Sequence, residues 1–345
     1  MGLMKALVKE RREKGLTMKE VEIPENLKDD EVLVKVKYAS ICGTDLHIYQ
    51  WDKWSQNRIK TPLLVGHEFS GEVVKIGSKV KMVKPGDFVS AETHIPCGTD
   101  RLCRTGNMHV CADMKILGVD IPGIFAEYAK VPEVVLWKND ESIPEHFASV
   151  QEPLGNAVFT VTSPGVSGKS VLITGAGPIG VMAVQVARAM GAGPIIVSEV
   201  QEYRLNMAKE NGADFVINPM KENALERVME ITSGEGVEVA LEMSGNPSAL
   251  NLATDAVMPS GKISILGVYK DNVDFDINKI VFKNITVHGI AGRKMFETWY
   301  ILSSLLKNSR IDLSKVVTHV LPFEEWKKGF ELMEEGKCGK VVLKL

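Results

Sequence analysis

Residues 170–180 read SVLITGAGPIG, and this stretch decides the predicted fold. An apolar run comes directly before three glycines, Gly175, Gly177 and Gly180, which are spaced as G-x-G-x-x-G, and the pattern of a helix follows. In such a strand–turn–helix unit, the first glycine permits a tight turn, the second lets the backbone approach a pyrophosphate, and the third lets helix and strand pack closely. The stretch therefore predicts a dinucleotide-binding turn, in which N–H groups at the helix N-terminus meet the phosphates.

The pattern around this turn predicts an α/β protein. From about 156 to 294, short apolar strands alternate with helices that end in glycine, which is typical of a doubly wound parallel sheet. Residues 1–155 instead consist mostly of short β-branched runs separated by turns, which predicts a β-rich domain. Two amphipathic helices, Phe296–Ile311 and Phe323–Gly336, and a closing strand are predicted for the last fifty residues.

Length and composition fit a two-domain globular protein. The chain has 345 residues, 25% of them charged, and 41 Lys and Arg against 44 Asp and Glu leave a net charge of −3. This balance gives no indication of a nucleic-acid or anionic-membrane partner. The N-terminus lacks the apolar core of a signal peptide, and polar residues and glycines interrupt the most apolar stretch, Val171–Val197. We expect a cytoplasmic protein that binds neither nucleic acid nor membrane.

The second predicted strand of the parallel sheet ends at Glu199, 19 residues after Gly180. A carboxylate at this position can accept hydrogen bonds from both hydroxyls of the adenosine ribose and would repel a 2′-phosphate. The position therefore favours NAD over NADP. Arg204 can stack on or pair near the adenosine. Because Arg204 can also tolerate a phosphate, the preference for NAD is strong but does not exclude NADP.

Three of the five cysteines, Cys97, Cys103 and Cys111, lie within fifteen residues of one another. An odd total and this clustering favour a metal site over a disulfide framework. A structural zinc requires four ligands, and Asp100 can supply the fourth, with His109 as the competing candidate. Such a mixed site should bind zinc more weakly than four cysteines, because a carboxylate is a harder ligand. The alternative is a set of buried or free thiols.

A second group of candidate ligands comprises Cys42, His67 and Glu68. A thiolate, an imidazole and a carboxylate, with a fourth position left open for water or substrate, form the pattern of a catalytic zinc. Glu152 can bind this metal directly or hold a water bound to it. Each residue taken alone is more simply a packing cysteine, a core histidine or a surface acid, but together with a dinucleotide turn they predict a catalytic centre.

These motifs point to a known family. The segment GHEFSGEVVKIG at Gly66–Gly77, the cysteine-rich loop and GAGPIG resemble the zinc-containing medium-chain dehydrogenases, and the resemblance covers essentially the whole chain. Four further segments are similar to the members that oxidise L-threonine: ICGTDLHIYQWDKWSQ, THIPCG, QEPLGNAV and GRKMFETWY. The loop departs from the family pattern of four cysteines, since Asp100 stands at the second position. Members with an acidic residue there still hold zinc.

The resemblance implies a GroES-like catalytic domain from 1–155 and 295–345, with a Rossmann NAD-binding domain inserted at 156–294. It also implies a homotetramer with two zincs per chain, one catalytic and one structural. The expected reaction belongs to threonine catabolism. It oxidises the side-chain alcohol of L-threonine to 2-amino-3-oxobutanoate, with NAD taking the hydride. A catalytic zinc supports this chemistry, because it lowers the pKa of a bound hydroxyl, as it does for bound water, to about 7.

The proton of the alcohol needs a path out of a dry site. Thr44 and His47 follow Cys42 by two and five residues and suit a relay from the hydroxyl through the cofactor ribose and the imidazole to solvent. The resemblance places His94 in the substrate pocket. It also implies backbone or apolar contacts to the cofactor from Ile179, from the turn of Leu266, Gly267 and Val268, and from Ile290 and Ala291.

Two other functions compete with this interpretation. A polyol or 2,3-butanediol dehydrogenase of the same superfamily shares the Cys-His-Glu set, and the segments HIYQWDKW and FETWY together with His94 favour threonine instead. A zinc- and dinucleotide-binding protein without catalysis is the alternative from another class. We expect such a protein to have lost metal ligands or the relay, all of which are present here.

Overall fold

The computed structural model describes residues 2–345, and the chain divides into two compact units. Unit 1 contains the chain up to Glu152 together with Val317–Leu345, and unit 2 contains Pro153–Val316. Both ends of the chain therefore belong to one unit, and the segment with the glycine-rich turn is inserted between them. Within residues 2–345, no helix is long and apolar enough to cross a membrane.

Short strands dominate the N-terminal part of unit 1. They are β1 (Leu3–Lys9), β2 (Thr17–Glu22), β3 (Glu31–Ser40), β4 (Leu63–Leu64), β5 (Glu68–Ile76), β6 (Phe88–Ala91), β7 (His94–Ile95), β8 (Lys115–Ile116), β9 (Tyr128–Pro132) and β10 (Leu136–Lys138). The helices of this part are short: α1 (Gly43–Gln50), α2 (Lys53–Arg58), α3 (Arg101–Arg104) and α4 (Glu145–Ala148). Single turns of 3₁₀ helix lie at Met108–Val110 and Glu133–Val135.

Unit 2 is built on a parallel sheet of six strands. These are β11 (Val171–Thr174), β12 (Ile195–Ser198), β13 (Phe215–Ile217), β14 (Val237–Glu242), β15 (Val257–Ile265) and β16 (Thr286–Gly289). Their helices are α5 (Gln151–Thr162), which contains the unit boundary, α6 (Pro178–Ala189), α7 (Glu202–Glu210), α8 (Ala224–Ile231), α9 (Pro247–Ala256), α10 (Asn278–Phe282) and α11 (Glu297–Lys307). The strand order β13-β12-β11-β14-β15-β16, parallel throughout, confirms the predicted doubly wound α/β fold.

The central strands β11, β12 and β14 are largely apolar and buried, as expected for strands that are covered on both faces. All four residues of β11 are buried, and Leu172, Ile196, Ala240 and Ile263 are fully inaccessible to solvent. The order of strands reverses between β11 and β14, and the glycine-rich turn follows β11 directly. Ligands of open α/β sheets bind at the carboxyl ends of the strands beside such a reversal.

The C-terminal segment completes unit 1. It contains a 3₁₀ turn at Phe323–Glu325 and the elements β17 (Val317–Pro322), α12 (Trp326–Glu334) and β18 (Lys340–Lys344). Strand β18 is antiparallel to β3 and parallel to β17, in a sheet ordered β10-β6-β5-β3-β18-β17, with β9 also paired to β3. The smaller sheets are β2-β1-β4 and β7-β8. The predicted closing strand is therefore part of the main sheet of unit 1.

The division of the chain differs from the predicted one at residues 295–316, which belong to unit 2. Helix α11 buries Trp299 and Leu302 completely. The segment after it is fixed by Gln185, whose side-chain amide donates to the Asp312 carbonyl at 2.8 Å and accepts from the Asp312 N–H at 2.6 Å. The amphipathic pattern of α11 was visible in the sequence, but the partner of its apolar face was not.

Candidate active site and metal centres

Each glycine of the turn meets a different requirement. Gly175 has a φ of +91°, and a Cβ there would lie 2.8 Å from the Ser244 Cβ. A Cβ at Gly180 would lie 2.1 Å from the Gly175 carbonyl oxygen, so only glycine lets α6 pack so closely. At Gly177 a Cβ would meet no atom within 4 Å, and no side chain caps the helix that begins after it. The turn therefore leaves open space and free N–H groups, the arrangement that binds a phosphate.

Glu199 connects the end of β12 to this turn. One of its carboxylate oxygens accepts the Ala176 N–H at 2.9 Å, and the other accepts the N–H groups of Val200 and Gln201 at 2.8 and 3.0 Å. The buried carboxylate is thus held beside the glycines, with lone pairs left for ribose hydroxyls. Nearby in sequence, the Arg204 Nε is buried without a hydrogen-bond partner among the described residues.

The remaining predicted cofactor contacts lie at the carboxyl edge of the same sheet. They are Ile179 in the first turn of α6, Leu266, Gly267 and Val268 after β15, and Ile290 and Ala291 after β16. Glu242, the last residue of β14, organises this edge. Its carbonyl oxygen accepts two N–H groups of the turn after β15, and its carboxylate accepts the Gly245 N–H and the Tyr269 hydroxyl.

In unit 1 the fold brings Cys42, His67 and Glu68 together, so that their candidate ligand atoms lie within 4.8 Å of one another. Cys42 immediately precedes α1, and His67 immediately precedes Glu68, the first residue of β5. His67 and Glu68 are buried, and His67 Nδ1 and Glu68 Oε1 find no hydrogen-bond partner among residues 2–345. A buried carboxylate oxygen left unsatisfied is costly, so a cation held by this group would satisfy Glu68 Oε1.

Glu68 forms a buried ion pair with Lys340 of β18. The Lys340 ammonium contacts Glu68 Oε2 and donates to the Ile41 carbonyl at 2.9 Å, and the Ser40 hydroxyl also donates to Oε2. Burial raises the pKa of Glu68, and the Lys340 ammonium opposes that shift. Oε2 is therefore committed to protein partners, while Oε1 has no hydrogen-bond partner among residues 2–345.

Glu152 lies in the first turn of α5 and is buried. The group of ligand atoms that fall within 4.8 Å of one another does not include it. Its negative charge contributes to the raised pKa of Glu68, and so the two carboxylates interact. Glu152 is thus a neighbour of the three-residue group rather than a member.

The relay candidates lie on α1, where Thr44 and His47 are three residues apart and share one face of the helix. Thr44 is half-buried, and about half of the His47 side chain is exposed. The His47 Nδ1 lies 2.7 Å from a carboxylate oxygen of Asp52, which follows the helix. His47 can therefore exchange a proton with solvent.

His94, the predicted substrate residue, lies on β7 beside a buried acid. Its Nδ1 is 3.2 Å from Glu92 Oε1, and its N–H donates to the same oxygen at 3.1 Å. Glu92 is completely buried, so its carboxylate orients the imidazole of His94 through Nδ1.

The cysteine-rich loop forms a second ligand group. The candidate ligand atoms of Cys97, Asp100, Cys103 and Cys111 lie within 4.8 Å of one another, and His109 does not belong to the group. Within the described part of the chain, this group and the Cys42 group are the two clusters of three or more His, Cys, Asp or Glu that meet this spacing. Of the two candidates for the fourth position, the fold brings Asp100 to the cysteines.

Backbone hydrogen bonds hold this loop in shape. Asp100 caps α3 by accepting the Cys103 N–H at 2.6 Å, and its second oxygen accepts the Ala112 N–H at 2.8 Å. The Cys97 sulfur accepts N–H groups from Thr99 and Asp100, each at 3.4 Å. Hydrogen bonds, first that of the Thr99 hydroxyl, lower the pKa of Cys97 to about 7. This environment stabilises a thiolate, the form that binds zinc.

Comparison with known proteins identifies the family of the chain. The alcohol dehydrogenase GroES-like domain matches residues 28–144, and the zinc-binding dehydrogenase domain matches residues 178–308. L-threonine 3-dehydrogenase of Pyrococcus horikoshii is 51% identical over 99% of both chains. The chain belongs to the zinc-binding alcohol dehydrogenase family. This finding confirms the family that the motifs indicate.

Two solved dehydrogenase structures match the chain over almost its whole length. Alcohol dehydrogenase TADH from Thermus sp. ATN1 superposes with a TM-score of 0.92 at 32% identity, and each chain covers 99% of the other. The 2R,3R-butanediol dehydrogenase from Bacillus subtilis gives a TM-score of 0.90 at 28% identity over 99% of both chains. The GroES-like and Rossmann parts of the prediction are confirmed.

Three supporting residues of this zinc-binding dehydrogenase were missed in the sequence. Buried Asp45 accepts the Cys42 N–H at 2.9 Å, and its other oxygen lies 3.5 Å from His67 Nδ1, as acids that orient metal-binding histidines do. Its position three residues after Cys42, in the pattern of a capping box, was an available signal. Asp52 lies within the segment ICGTDLHIYQWDKWSQ, which is similar to the members that oxidise L-threonine. Lys340 gave no local signal, because its partner is 272 residues away.

Proposed function

We propose that this zinc-binding dehydrogenase oxidises the side-chain hydroxyl of L-threonine to 2-amino-3-oxobutanoate, with NAD as the hydride acceptor. The observation that carries an alcohol oxidation is the convergence of Cys42, His67 and Glu68 in a chain that also has a dinucleotide turn. The choice of threonine rests on the relative named L-threonine 3-dehydrogenase at 51% identity over 99% of both chains. The alcohol loses a hydride to NAD and a proton to solvent, so it is oxidised to a ketone while NAD is reduced to NADH.

The residues that would hold the catalytic zinc are Cys42, His67 and Glu68. Zinc bound there would act as a Lewis acid and make the alcohol hydroxyl more acidic. Asp45 orients the imidazole of His67, and Lys340 holds one oxygen of Glu68. We assign Glu152 to a water or substrate hydroxyl beside this group rather than to the metal itself.

The proton of the substrate hydroxyl leaves by way of the Thr44 hydroxyl and the His47 imidazole. The two side chains share a face of α1, and the exposure of His47 supports a last transfer to solvent. His94, held by Glu92, recognises the polar end of the substrate.

NAD is held by the glycine turn, Glu199 and Arg204, with the apolar contacts from Ile179, 266–268 and 290–291. The position of the Glu199 carboxylate beside the turn supports NAD over NADP, because a 2′-phosphate would meet its negative charge. Cys97, Asp100, Cys103 and Cys111 would hold a second, structural zinc, since their ligand atoms lie within 4.8 Å of one another. The domains follow the two units, and we assign the protein to the cytoplasm as a homotetramer on the basis of its family resemblance.

The test is NADH formation from L-threonine before and after removal of metal by a chelator, followed by addition of zinc. We expect activity that is lost on chelation and restored by zinc, and a lower KM for NAD than for NADP. A panel with sorbitol and 2,3-butanediol tests the substrate class. If either compound is oxidised faster than L-threonine, the substrate is a diol or polyol and not threonine. If no alcohol yields NADH, the protein binds zinc and dinucleotide without catalysis.

A further inference from the structure

Asp52 has two oxygens with separate partners. Oδ1 accepts the Ser55 N–H at 3.0 Å and so caps α2, while Oδ2 lies 2.7 Å from the His47 Nδ1. The side chain of Asp52 is about one-third exposed, and the ring of Trp54 lies beside His47, with 6.2 Å between the ring centroids. The cap fixes the position of the carboxylate, and the carboxylate in turn fixes the imidazole.

The chemistry of this pair determines which ring nitrogen carries the hydrogen. Burial acts to raise the pKa of Asp52, but the hydrogen bonds from Ser55 and His47 outweigh it and hold the pKa below its ordinary value. Asp52 is therefore a carboxylate, which accepts hydrogen bonds and donates none. The Nδ1 of His47 must then carry a hydrogen, and in the neutral ring the lone pair lies on Nε2.

We propose that Asp52 is a positioning residue for the proton relay, which holds His47 in the tautomer whose Nε2 accepts the substrate proton. This inference rests on the relay in the proposed function and extends it by one residue. The proton that arrives at Nε2 makes an imidazolium, which the adjacent carboxylate stabilises, and it then passes from the ring to solvent. Asp52 itself is not protonated, as for the aspartate that orients a catalytic histidine in serine proteases.

The variant Asp52→Asn separates this role from the helix cap. The amide oxygen can still accept the Ser55 N–H, but the amide group that replaces Oδ2 is a donor and faces Nδ1. The imidazole then takes the opposite tautomer, with a hydrogen on Nε2 and no lone pair to accept a proton. A tautomer reversal costs about 10⁴-fold in kcat in a buried protease triad. We expect roughly a 10- to 100-fold loss here, because solvent reaches His47.

The measurement is steady-state kinetics of the zinc-loaded enzyme with L-threonine and NAD. We expect Asp52→Asn to lower kcat with little change in either KM, in zinc content or in the melting temperature. Added imidazole at constant pH should accelerate the variant but not the parent enzyme, because an external base replaces the blocked ring. Asp312→Asn is the matched control, since Asp312 caps a turn by accepting the Ser314 N–H and has no imidazole partner in the described contacts.

A double variant tests whether Asp52 acts through His47. If it does, His47→Asn and His47→Asn/Asp52→Asn have the same kcat. Unchanged kcat in Asp52→Asn, an additive loss in the double variant, or a loss of zinc or melting temperature that accounts for the defect would overturn the inference. Failure of the proposed function gives a different result from failure of this inference. In that case the parent enzyme produces no NADH from L-threonine, or His47→Asn retains full kcat.

Discussion

The two ligand groups of this enzyme are assembled in opposite ways. The Cys97 group comes from a single loop of fifteen residues, and backbone N–H groups already bind Asp100 and the Cys97 sulfur. The Cys42 group comes from separate elements, and its buried carboxylate is paired with a lysine from the last strand. Hydrogen bonds within residues 97–112 therefore help to shape the loop group, while the Cys42 group depends on a contact between residues 272 positions apart.

This difference matches two kinds of metal site. A structural site surrounds its ion with four protein ligands, the number that the loop offers, whereas a catalytic site keeps a position open. In the Cys42 group, the unpartnered Glu68 Oε1 is available for an ion, and three protein ligands leave the fourth position free. We therefore expect substitutions in the Cys42 group to affect turnover first and substitutions in the loop to affect zinc content and stability first.

The largest effect is expected for Cys42→Ala. Removing the thiolate leaves only two of the three proposed ligands for the catalytic zinc. Zinc as a Lewis acid stabilises the transition state by several kcal/mol, so its loss should lower kcat by about 10³-fold or more. Zinc should fall from two per chain to one. Steady-state kinetics and metal analysis on the same sample check this prediction. If the variant keeps both zincs and normal turnover, Cys42 is not a ligand of the catalytic zinc.

Lys340→Met should affect stability more than any loop substitution. In the zinc-free protein it leaves Glu68 buried without its counter-charge, which typically costs about 3–5 kcal/mol. The free energy of unfolding from denaturant titration is the measurement. Lys344→Met, at an exposed position of the same strand, is the matched control and should remain within about 0.5 kcal/mol of the parent. Equal stability of the two variants would mean that the ion pair contributes little.

Asp100→Ala should release the structural zinc and leave kcat per catalytic zinc nearly unchanged. The substitution removes both the carboxylate ligand and the cap of α3, and the cap alone is worth about 1 kcal/mol. Asp100→Cys is the matched variant, since it restores four thiolates and should hold zinc more tightly. Metal analysis after dialysis decides the matter, and two zincs retained in Asp100→Ala would show that Asp100 only caps the helix.

The sequence predicted the ligands better than their surroundings. Cys42, His67, Glu68 and the loop cysteines could be named because their residue types and short spacings are restricted by zinc chemistry. The Rossmann turn could be named because glycine alone satisfies the contacts at 175 and 180. Lys340 could not be named, since no local pattern connects the first residue of a C-terminal strand with a glutamate 272 residues earlier.

The same limit explains the boundary at residues 295–316. The pattern of α11 predicted an amphipathic helix near the observed Glu297–Lys307 but gave no information on which unit its apolar face packs against. The side chain of Gln185, more than a hundred residues earlier, holds the chain after that helix. Periodicity identifies elements, whereas their tertiary partners are set by contacts that a single sequence does not display.

The smallest effect separates the loop's own hydrogen bonds from its ligands. The Thr99 hydroxyl lies 3.5 Å from the Cys97 sulfur and favours its thiolate form. Thr99→Val keeps the shape and removes this donor, so zinc affinity of the loop should fall by a few-fold, consistent with a net contribution of about 1 kcal/mol or less. Competition with a chromogenic chelator measures this affinity. Thr105→Val is the control, because the Thr105 hydroxyl bonds to backbone carbonyls and Asn107 rather than to a ligand sulfur in the described contacts. Because N–H donors from Thr99 and Asp100 remain, complete loss of zinc in Thr99→Val would mean that the loop is not held in shape by its backbone, and the contrast between the two groups would fail.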